Sequence, residues 1–547
     1  MPADAERPAR AGTRTGGSLV VESLEALGTR VVFGLPGTHV LPIWEGLRTR
    51  SLRYVGLRTE LTAGFAADGY ARAGGEPAVL LLTTGPGALM ALAALMESSS
   101  AHVPVVAIAG QIPRELIGRG RDYLHELRDQ RASFEPVVKW TATVGSADAI
   151  PDVVAEAWRR AQSPPSGPVF VEIPVDLLEA RLALPAIEDI DATPPPPPLP
   201  PADVLDEAAR LLNEAGKPVI WAGGGVLRSG AWAELRALAE RLRAPVAMTY
   251  MGKAAFPADH ELSAGSACDE AAFQELLSGA TVVLCVGTKL GAETTAQYSL
   301  ELPRLIHVDA DAERIGKTYP ALGLVGDARA TLRALGDRVS ERERDGAAEA
   351  RVASVRARIE RGLAGQGREL ERGILAAVRN VLPRDGVSAW DMTILAYWAA
   401  AHFPVSEPRR FLYPLGSGTL GYAWPASLGA AAANGDGPTL AVVGDGGFLY
   451  GDQELAAARQ YGLRTTLLLV DDGGYGVLRK HQREQFGETY GVDLEQPDFA
   501  SLVGAFGVPV EQTTPDELAD ALGRAFAVNG PAVVHLPAHV EMWSPTS

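Results

Sequence analysis

The sequence predicts an α/β protein built from three consecutive doubly wound parallel-sheet domains. Three observations carry this reading. The chain has 547 residues, which at roughly 150 residues per domain suggests three or four compact units. Short apolar runs of strand length alternate with Ala/Leu-rich helical stretches, the rhythm of a parallel sheet sandwiched by helices. Two segments unsuited to a core, one proline-rich and one charged, divide that alternation into three blocks.

The first block, residues 16–185, has strand candidates at Val31–Phe33, Leu52–Leu57, Val79–Leu82, Val105–Ala109 and Val169–Ile173. Pro194–Pro198, followed by Leu199, Pro200 and Pro201, can neither pair as a central strand nor continue a helix, so it reads as a stiff extended connector. The second block, residues 202–338, offers Pro218–Ala222, Thr281–Val286 and Arg304–Val308. Ser340–Leu370 is rich in Arg, Glu and Ala with few large apolar residues, which predicts an exposed helical linker. The third block, residues 370–541, offers Thr439–Val443, Thr466–Val470 and Ala532–His535. The similar sizes of the first and third blocks hint at a duplicated fold, and the lack of a short tandem period argues against solenoids and propellers.

Charge and composition narrow the partners. With 50 Lys plus Arg against 67 Asp plus Glu and a formal charge of −17, no basic face is expected for nucleic acid or an anionic membrane. Small molecules are the expected partners. Cys268 and Cys285 match neither a metal-ligand spacing nor a disulfide framework, which fits a reducing compartment such as the cytoplasm. Met1–Gly17 lacks the apolar core of a signal peptide, and no later run reaches about 18 uninterrupted apolar residues, so neither export nor a membrane span is expected.

The chemistry concentrates between Leu440 and Gly476. One strand ends in Gly444-Asp445-Gly446-Gly447, a helix-like segment covers Glu454–Tyr461, and a second strand ends in Asp471-Asp472-Gly473-Gly474-Tyr475-Gly476. Each turn sits at the carboxyl end of a strand, where doubly wound sheets place their ligands. Glycines let backbone N–H groups approach a phosphate, and Asp445 and Asp472 offer hard oxygens to Mg²⁺. Either turn alone reads equally as an ordinary loop. The separation of 27 residues from Asp445 to Asp472 suits one strand-helix-strand crossover, which would set the turns side by side.

In the first block, Glu60 stands where a strand gives way to a helix, in Arg58-Thr59-Glu60-Leu61-Thr62-Ala63-Gly64-Phe65-Ala66-Ala67-Asp68-Gly69-Tyr70-Ala71-Arg72. A Glu in a first helical turn can simply complement the helix dipole. Around it lie two glycine turns, Phe33-Gly34-Leu35-Pro36-Gly37-Thr38-His39 and Thr83-Thr84-Gly85-Pro86-Gly87, and the third block holds Gly416-Ser417-Gly418-Thr419-Leu420-Gly421-Tyr422.

Together these segments resemble the thiamin diphosphate-dependent enzymes, over about residues 16–540. The resemblance implies that Asp445, the Asp472 side chain and the Gly474 carbonyl bind Mg²⁺, with Gly444, Gly446, Gly447, Tyr475 and Gly476 around the diphosphate. It implies that Glu60 hydrogen-bonds the aminopyrimidine, since a carboxyl group in an apolar pocket can share its proton with a ring nitrogen. Pro36, Gly85 and Gly87 belong to its Phe-Gly-x-Pro-Gly and Gly-Pro-Gly loops. Gly416, Ser417 and Gly418 resemble the loop supporting the bent cofactor, where Leu420 would wedge between the rings; a buried core Leu is the alternative. Asp471-Asp472 stands where the family usually has two Asn, adding negative charge beside the metal. The blocks would then be a pyrimidine-binding, a middle Rossmann-like and a diphosphate-binding domain.

Gln453-Glu454-Leu455 and Tyr475-Gly476-Val477-Leu478-Arg479 resemble the acetolactate synthase-like branch. That implies decarboxylation of a 2-oxo acid, pyruvate-like, and carboligation of the acyl carbanion to a second carbonyl. Glu126 and Leu478 replace usual proton donors of pyruvate decarboxylases, which favours carbon–carbon bond formation. Release of an aldehyde, by a non-oxidative decarboxylase or a benzaldehyde lyase-like enzyme, is the alternative, and a non-catalytic cofactor-binding relative is another. His125 stands where acetolactate synthases have Gln, and Gly37-Thr38-His39 resembles a substrate-reaching segment of benzaldehyde lyase. His39 and His125 either face the substrate as acid–base groups or are satisfied structural residues. Flavin-binding members carry Gly-Met-His-Gly-Thr and Arg-Phe-Asp-Asp-Arg where this chain has Gly265-Ser266-Ala267-Cys268-Asp269 and Thr288-Lys289-Leu290-Gly291-Ala292, which leaves FAD a doubtful cofactor. The family also implies a homodimer or homotetramer with the active site at a subunit interface. Neither Gly-x-Ser-x-Gly nor His-Glu-x-x-His is present, so hydrolytic readings have no support.

Overall fold

The computed structural model describes residues 13–184, 186–435 and 437–546. Most of the N-terminal stretch read above, and the domain end placed at residue 185, therefore lie outside the described residues. Among the described residues no helix is long and apolar enough to cross a membrane. The chain divides into two compact units, one carrying the first sheet and the other carrying the second and third.

All three main sheets have six strands, and every neighbouring pair within them is parallel. The first runs Arg53–Gly56, Val31–Gly34, Ala78–Leu82, Val105–Gln111, Val169–Pro174, Trp140–Thr143. Its central strands are buried along their whole length, which is why they read as unbroken apolar runs rather than alternating ones. The chain goes outward from Val31–Gly34 to Arg53–Gly56 and returns on the other side as Ala78–Leu82. Loops leaving the carboxyl ends at that reversal open a crevice between them, and these are the loops of Pro36 and Gly85.

The third sheet runs Phe411–Leu412, Val387–Trp390, Thr439–Gly444, Thr466–Asp471, Ala532–Pro537, Val510–Gln512. Counted along the chain, its strand order is the same as the first sheet's, in keeping with the hint of duplication. Its reversal lies between Val387–Trp390 and Thr439–Gly444, which puts Asp391 and Asp445 at the mouth. The middle sheet has a different order: Ser263–Gly265, Val246–Met248, Pro218–Ala222, Val282–Val286, Arg304–Asp309, Leu322–Val325.

Residues 186–201 form no regular secondary structure, as the proline run requires. The segment after the middle sheet departs from expectation. It contains the helix Ala347–Ala364, which is not an exposed linker: Ala348, Val352, Val355, Ile359 and Leu363 are buried. Those residues recur every three or four positions and form a stripe, and Val355, Ile359 and Leu363 enter the core shared by the second and third sheets. The abundant Arg and Glu belong to the opposite face. Cys268 and Cys285 are both free and buried.

Candidate active site

The third-sheet cluster is built on two adjacent strands. Thr439–Gly444 pairs in register with Thr466–Asp471, from Leu440 opposite Thr466 to Gly444 opposite Val470, so the Asp445 and Asp472 turns emerge side by side. Asp445 begins the helical turn Asp445–Phe448 and is buried, and Gln496 Nε2 donates to its Oδ2. Burial, with the Asp472 and then the Asp471 charge, pushes the Asp445 carboxyl up to about 6. Burial likewise pushes Asp472 up to about 6, against the pull of Arg479. Arg479 is itself buried and donates to the carbonyls of Asp472 (3.3 Å) and Gly473 (3.1 Å) while pairing with Asp493 at 2.8 Å.

Several glycines here are required by close approach. A Cβ on Gly476 would lie 2.3 Å from Asp472 Oδ2, one on Gly447 2.8 Å from Asp391 Oδ2, and one on Gly446 2.6 Å from the Tyr475 ring. Gly474 is buried and pairs with Asp493, and Gly444 ends its strand. In the neighbouring loop Gly416 and Ser417 are half-buried, as is Leu420, so Leu420 is not a fully buried core residue. Gly418 is exposed and has φ +70° with open space where a Cβ would point. Gly421 donates its N–H to Asp391 Oδ2 at 3.1 Å. Asp391 went unread in the sequence, although a lone Asp ending the apolar strand Val387–Trp390 was a usable signal. It is fully buried, and burial raises it to about 6.

The donor set fits a hard divalent cation. Two neighbouring carboxylates in a partly dry space drive up each other's proton affinity, and a cation relieves that cost. Among the described residues no group of three or more His, Cys, Asp or Glu could hold a metal. A metal here would therefore draw on two carboxylates, a backbone carbonyl and oxygens of its anionic ligand.

A second cluster, at the first sheet, gathers the predicted residues of the first block. Glu60 is the first residue of the helix Glu60–Gly74 and is buried. A Cβ on Gly87 would lie 2.6 Å from Glu60 Oε1, and one on Gly85, whose φ is +67°, would lie 2.7 Å from the His125 carbonyl. His39 is buried, with its ring centroid 5.2 Å from that of His125 and 5.9 Å from that of Tyr123. Burial, then the nearby His125, lowers the His39 pKa and favours its neutral form. Pro36 is exposed in the loop before Gly37. Four buried polar atoms cluster here without a hydrogen-bond partner: His39 Nδ1, His125 Nδ1, Thr83 Oγ1 and Thr84 Oγ1. Neither imidazole is thus a fully satisfied structural residue, and unpaired buried groups of this kind suit a polar ligand. The two threonines carried no signal in sequence.

The fold and both clusters agree with the comparisons to known proteins. Residues 14–133 match the N-terminal TPP binding domain of the thiamine pyrophosphate enzymes, residues 205–335 their central domain and residues 391–536 their C-terminal TPP binding domain. A probable 2-ketoarginine decarboxylase of Pseudomonas aeruginosa is 37% identical over 529 residues, 96% of this chain and 94% of that protein. The chain belongs to the thiamine pyrophosphate-dependent enzymes. Within them it is similar to a probable acetolactate synthase large subunit of Methanocaldococcus jannaschii (30% identical, covering 95% of this chain and 91% of that one). The large subunit of Corynebacterium glutamicum acetolactate synthase is 33% identical, covering 95% and 86%. The Glu60 cluster falls inside the match to the N-terminal TPP binding domain and the Asp445–Asp472 cluster inside the match to the C-terminal one. The chain is thus an acetolactate synthase-like thiamine pyrophosphate enzyme.

Proposed function

We propose that this enzyme uses thiamin diphosphate with Mg²⁺ to decarboxylate a 2-oxo acid, and that it returns a proton to the carbon left behind, releasing an aldehyde. When bound, the cofactor supplies the electron sink for loss of CO₂. Asp445, Asp472 and the Gly474 carbonyl would hold the metal, and the glycines of the two turns would receive the diphosphate. Glu60 would hold a proton at a pyrimidine ring nitrogen. Pro36, Gly85, Gly87, Gly416, Ser417, Gly418 and Leu420 would shape the space around the heterocycles. In this reading residues 16–185 are the pyrimidine-binding domain, 202–338 the middle domain and 370–541 the diphosphate-binding domain, working as a homodimer or homotetramer.

The observation that carries aldehyde release is the His39–His125 ring pair, each with its buried Nδ1 unpartnered, with His125 packed on Gly85. Imidazole N–H groups are suited to deliver a proton near neutral pH. Glu126 is unsuited to that role, because its carboxylate accepts the backbone N–H groups of Gly120, Arg121 and Tyr123 at 2.8–3.0 Å. The similarity to a 2-ketoarginine decarboxylase supports the same outcome and suggests a long, distally cationic 2-oxo acid.

Carboligation to a second carbonyl is the second reading, favoured by the apolar, exposed Leu478 and by the acetolactate synthase relatives. Feeding the Mg²⁺- and cofactor-loaded enzyme with pyruvate, longer aliphatic 2-oxo acids and 5-guanidino-2-oxopentanoate, with products separated, decides between them. Aldehyde is expected. An acyloin or acetohydroxy acid as sole product supports the second reading, and no CO₂ from any 2-oxo acid defeats both. His125→Gln should raise the carboligated share of product.

A further inference from the structure

Gln130 starts the five-residue helix Gln130–Phe134 and is only 1% exposed. Asp129 caps that helix by accepting the Ala132 N–H at 2.9 Å, and Phe134 stacks on Phe170 with ring centroids 3.6 Å apart. Phe170 and Glu172 lie two apart on one face of the Val169–Pro174 strand, while Gln130 and Phe134 lie four apart on one face of the helix. The two spacings span similar lengths, so the aromatic stack sets Gln130 opposite Glu172.

The Gln130 amide is then used at both ends. Its Nε2 donates to Glu172 Oε2 and to the Gly110 carbonyl, each at 3.0 Å, and its Oε1 accepts the Gly85 N–H at 2.7 Å. Glu172 also accepts Gln111 Nε2 at 3.0 Å on the same oxygen and Thr143 Oγ1 at 2.6 Å on the other. Gln111 and Glu172 are each 3% exposed. The chain of bonds ends on Gly85, the left-handed residue packed against His125, two positions before the Gly87 that abuts Glu60.

We propose that Gln130, oriented by Glu172, is a positioning residue that fixes the Gly85 turn and through it the placement of His125 and Glu60. The proposal rests on the reading of those two residues as the acid–base groups of the reaction. An amide is needed because the side chain must accept from Gly85 and donate to Glu172 at once. Glu172→Gln can conserve the pattern, with its oxygen toward Gln111 and Gln130 and its NH₂ toward the Thr143 hydroxyl.

The test compares wild type with Gln130→Met, Gln130→Glu and Glu172→Gln. It reads kcat and KM against pH, and separately the thiamin diphosphate half-saturation by tryptophan fluorescence with Mg²⁺ present. Gln130→Met should lower kcat about 10-fold to 100-fold, as small misplacements of reacting groups do, with less than about a threefold change in KM. It should also raise the half-saturating cofactor concentration. Glu172→Gln should stay within about threefold of wild type. Gln130→Glu, facing Glu172 and the cap Asp129, should recover activity relative to wild type as pH falls, because its protonated form regains a donor. Should Gln130→Met fail to fold, Gln130→Glu carries the test. Unchanged kcat and half-saturation in the folded Gln130 variants, no low-pH recovery in Gln130→Glu, or a loss in Glu172→Gln as large as in Gln130→Met would each overturn the proposal. If wild type decarboxylates no 2-oxo acid, the functional reading fails, while the fluorescence titration still reports on the turn.

Discussion

At the scale of single residues, the proposed function asks different things of the carboxylates in the two clusters. In the proposed function Glu60 acts on the heterocycle, while the Asp445–Asp472 cluster holds the metal and diphosphate. Glu60→Ala should therefore leave cofactor uptake largely intact and lower turnover by about 10²-fold or more, whereas Asp445→Ala should weaken uptake itself. Calorimetric titration beside steady-state kinetics separates the two, and full activity in Glu60→Ala would remove Glu60 from the chemistry. A pH dependence follows from the raised carboxyls of Asp445 and Asp472, both pushed up to about 6. Their folded pKa values exceed the unfolded one of about 3.9, so the folded metal-free protein binds more protons and loses stability as pH rises from about 4 through 6. In the proposed function Mg²⁺ takes the ionised pair, so the rise in Tm that it produces should be small at pH 5 and full above about 7. Equal increments at pH 5 and pH 7.5 in a thermal-shift series would contradict this account of the pair.

At the scale of elements, Ala347–Ala364 shows how composition misleads when periodicity is ignored. Its polar residues outnumber its large apolar ones, yet Val352, Val355, Ile359 and Leu363 fall on one stripe and pack inward, the last three into a core. Ile359→Ala should cost about 2 kcal/mol or more in urea unfolding. A loss under about 0.5 kcal/mol, the range of surface substitutions, would return the helix to the role of an exposed linker. The buried strands were legible because parallel sheets covered on both faces demand unbroken apolar runs. Short strands such as Val246–Met248, Ser263–Gly265 and Phe411–Leu412 gave no such signal, since two or three residues are too few to show a period.

At the scale of the whole molecule, the first and third sheets share a strand order, and each gathers one cluster of candidate residues at its own reversal point. In the proposed homodimer a complete site would draw one half from each chain. Mixing inactive Glu60→Ala with inactive Asp445→Ala protein, after subunit exchange, should then recover up to about a quarter of wild-type activity, because random pairing leaves one intact site in half of the dimers. No recovery despite proven exchange would argue that each chain builds its site alone.

The α/β class, the three blocks and the glycine turns were legible in residue order alone, because buried strands and closely packed turn glycines constrain residue type locally. Asp391, the Thr83 and Thr84 hydroxyls and the Gln130–Glu172 chain emerged only from the tertiary structure. Their roles depend on which strand ends become neighbours, and a hydrogen bond between residues far apart in sequence leaves no periodicity to read. The same holds for the two histidines: spacing offered them as acid–base groups or as structural residues, and only packing showed ring nitrogens buried without partners.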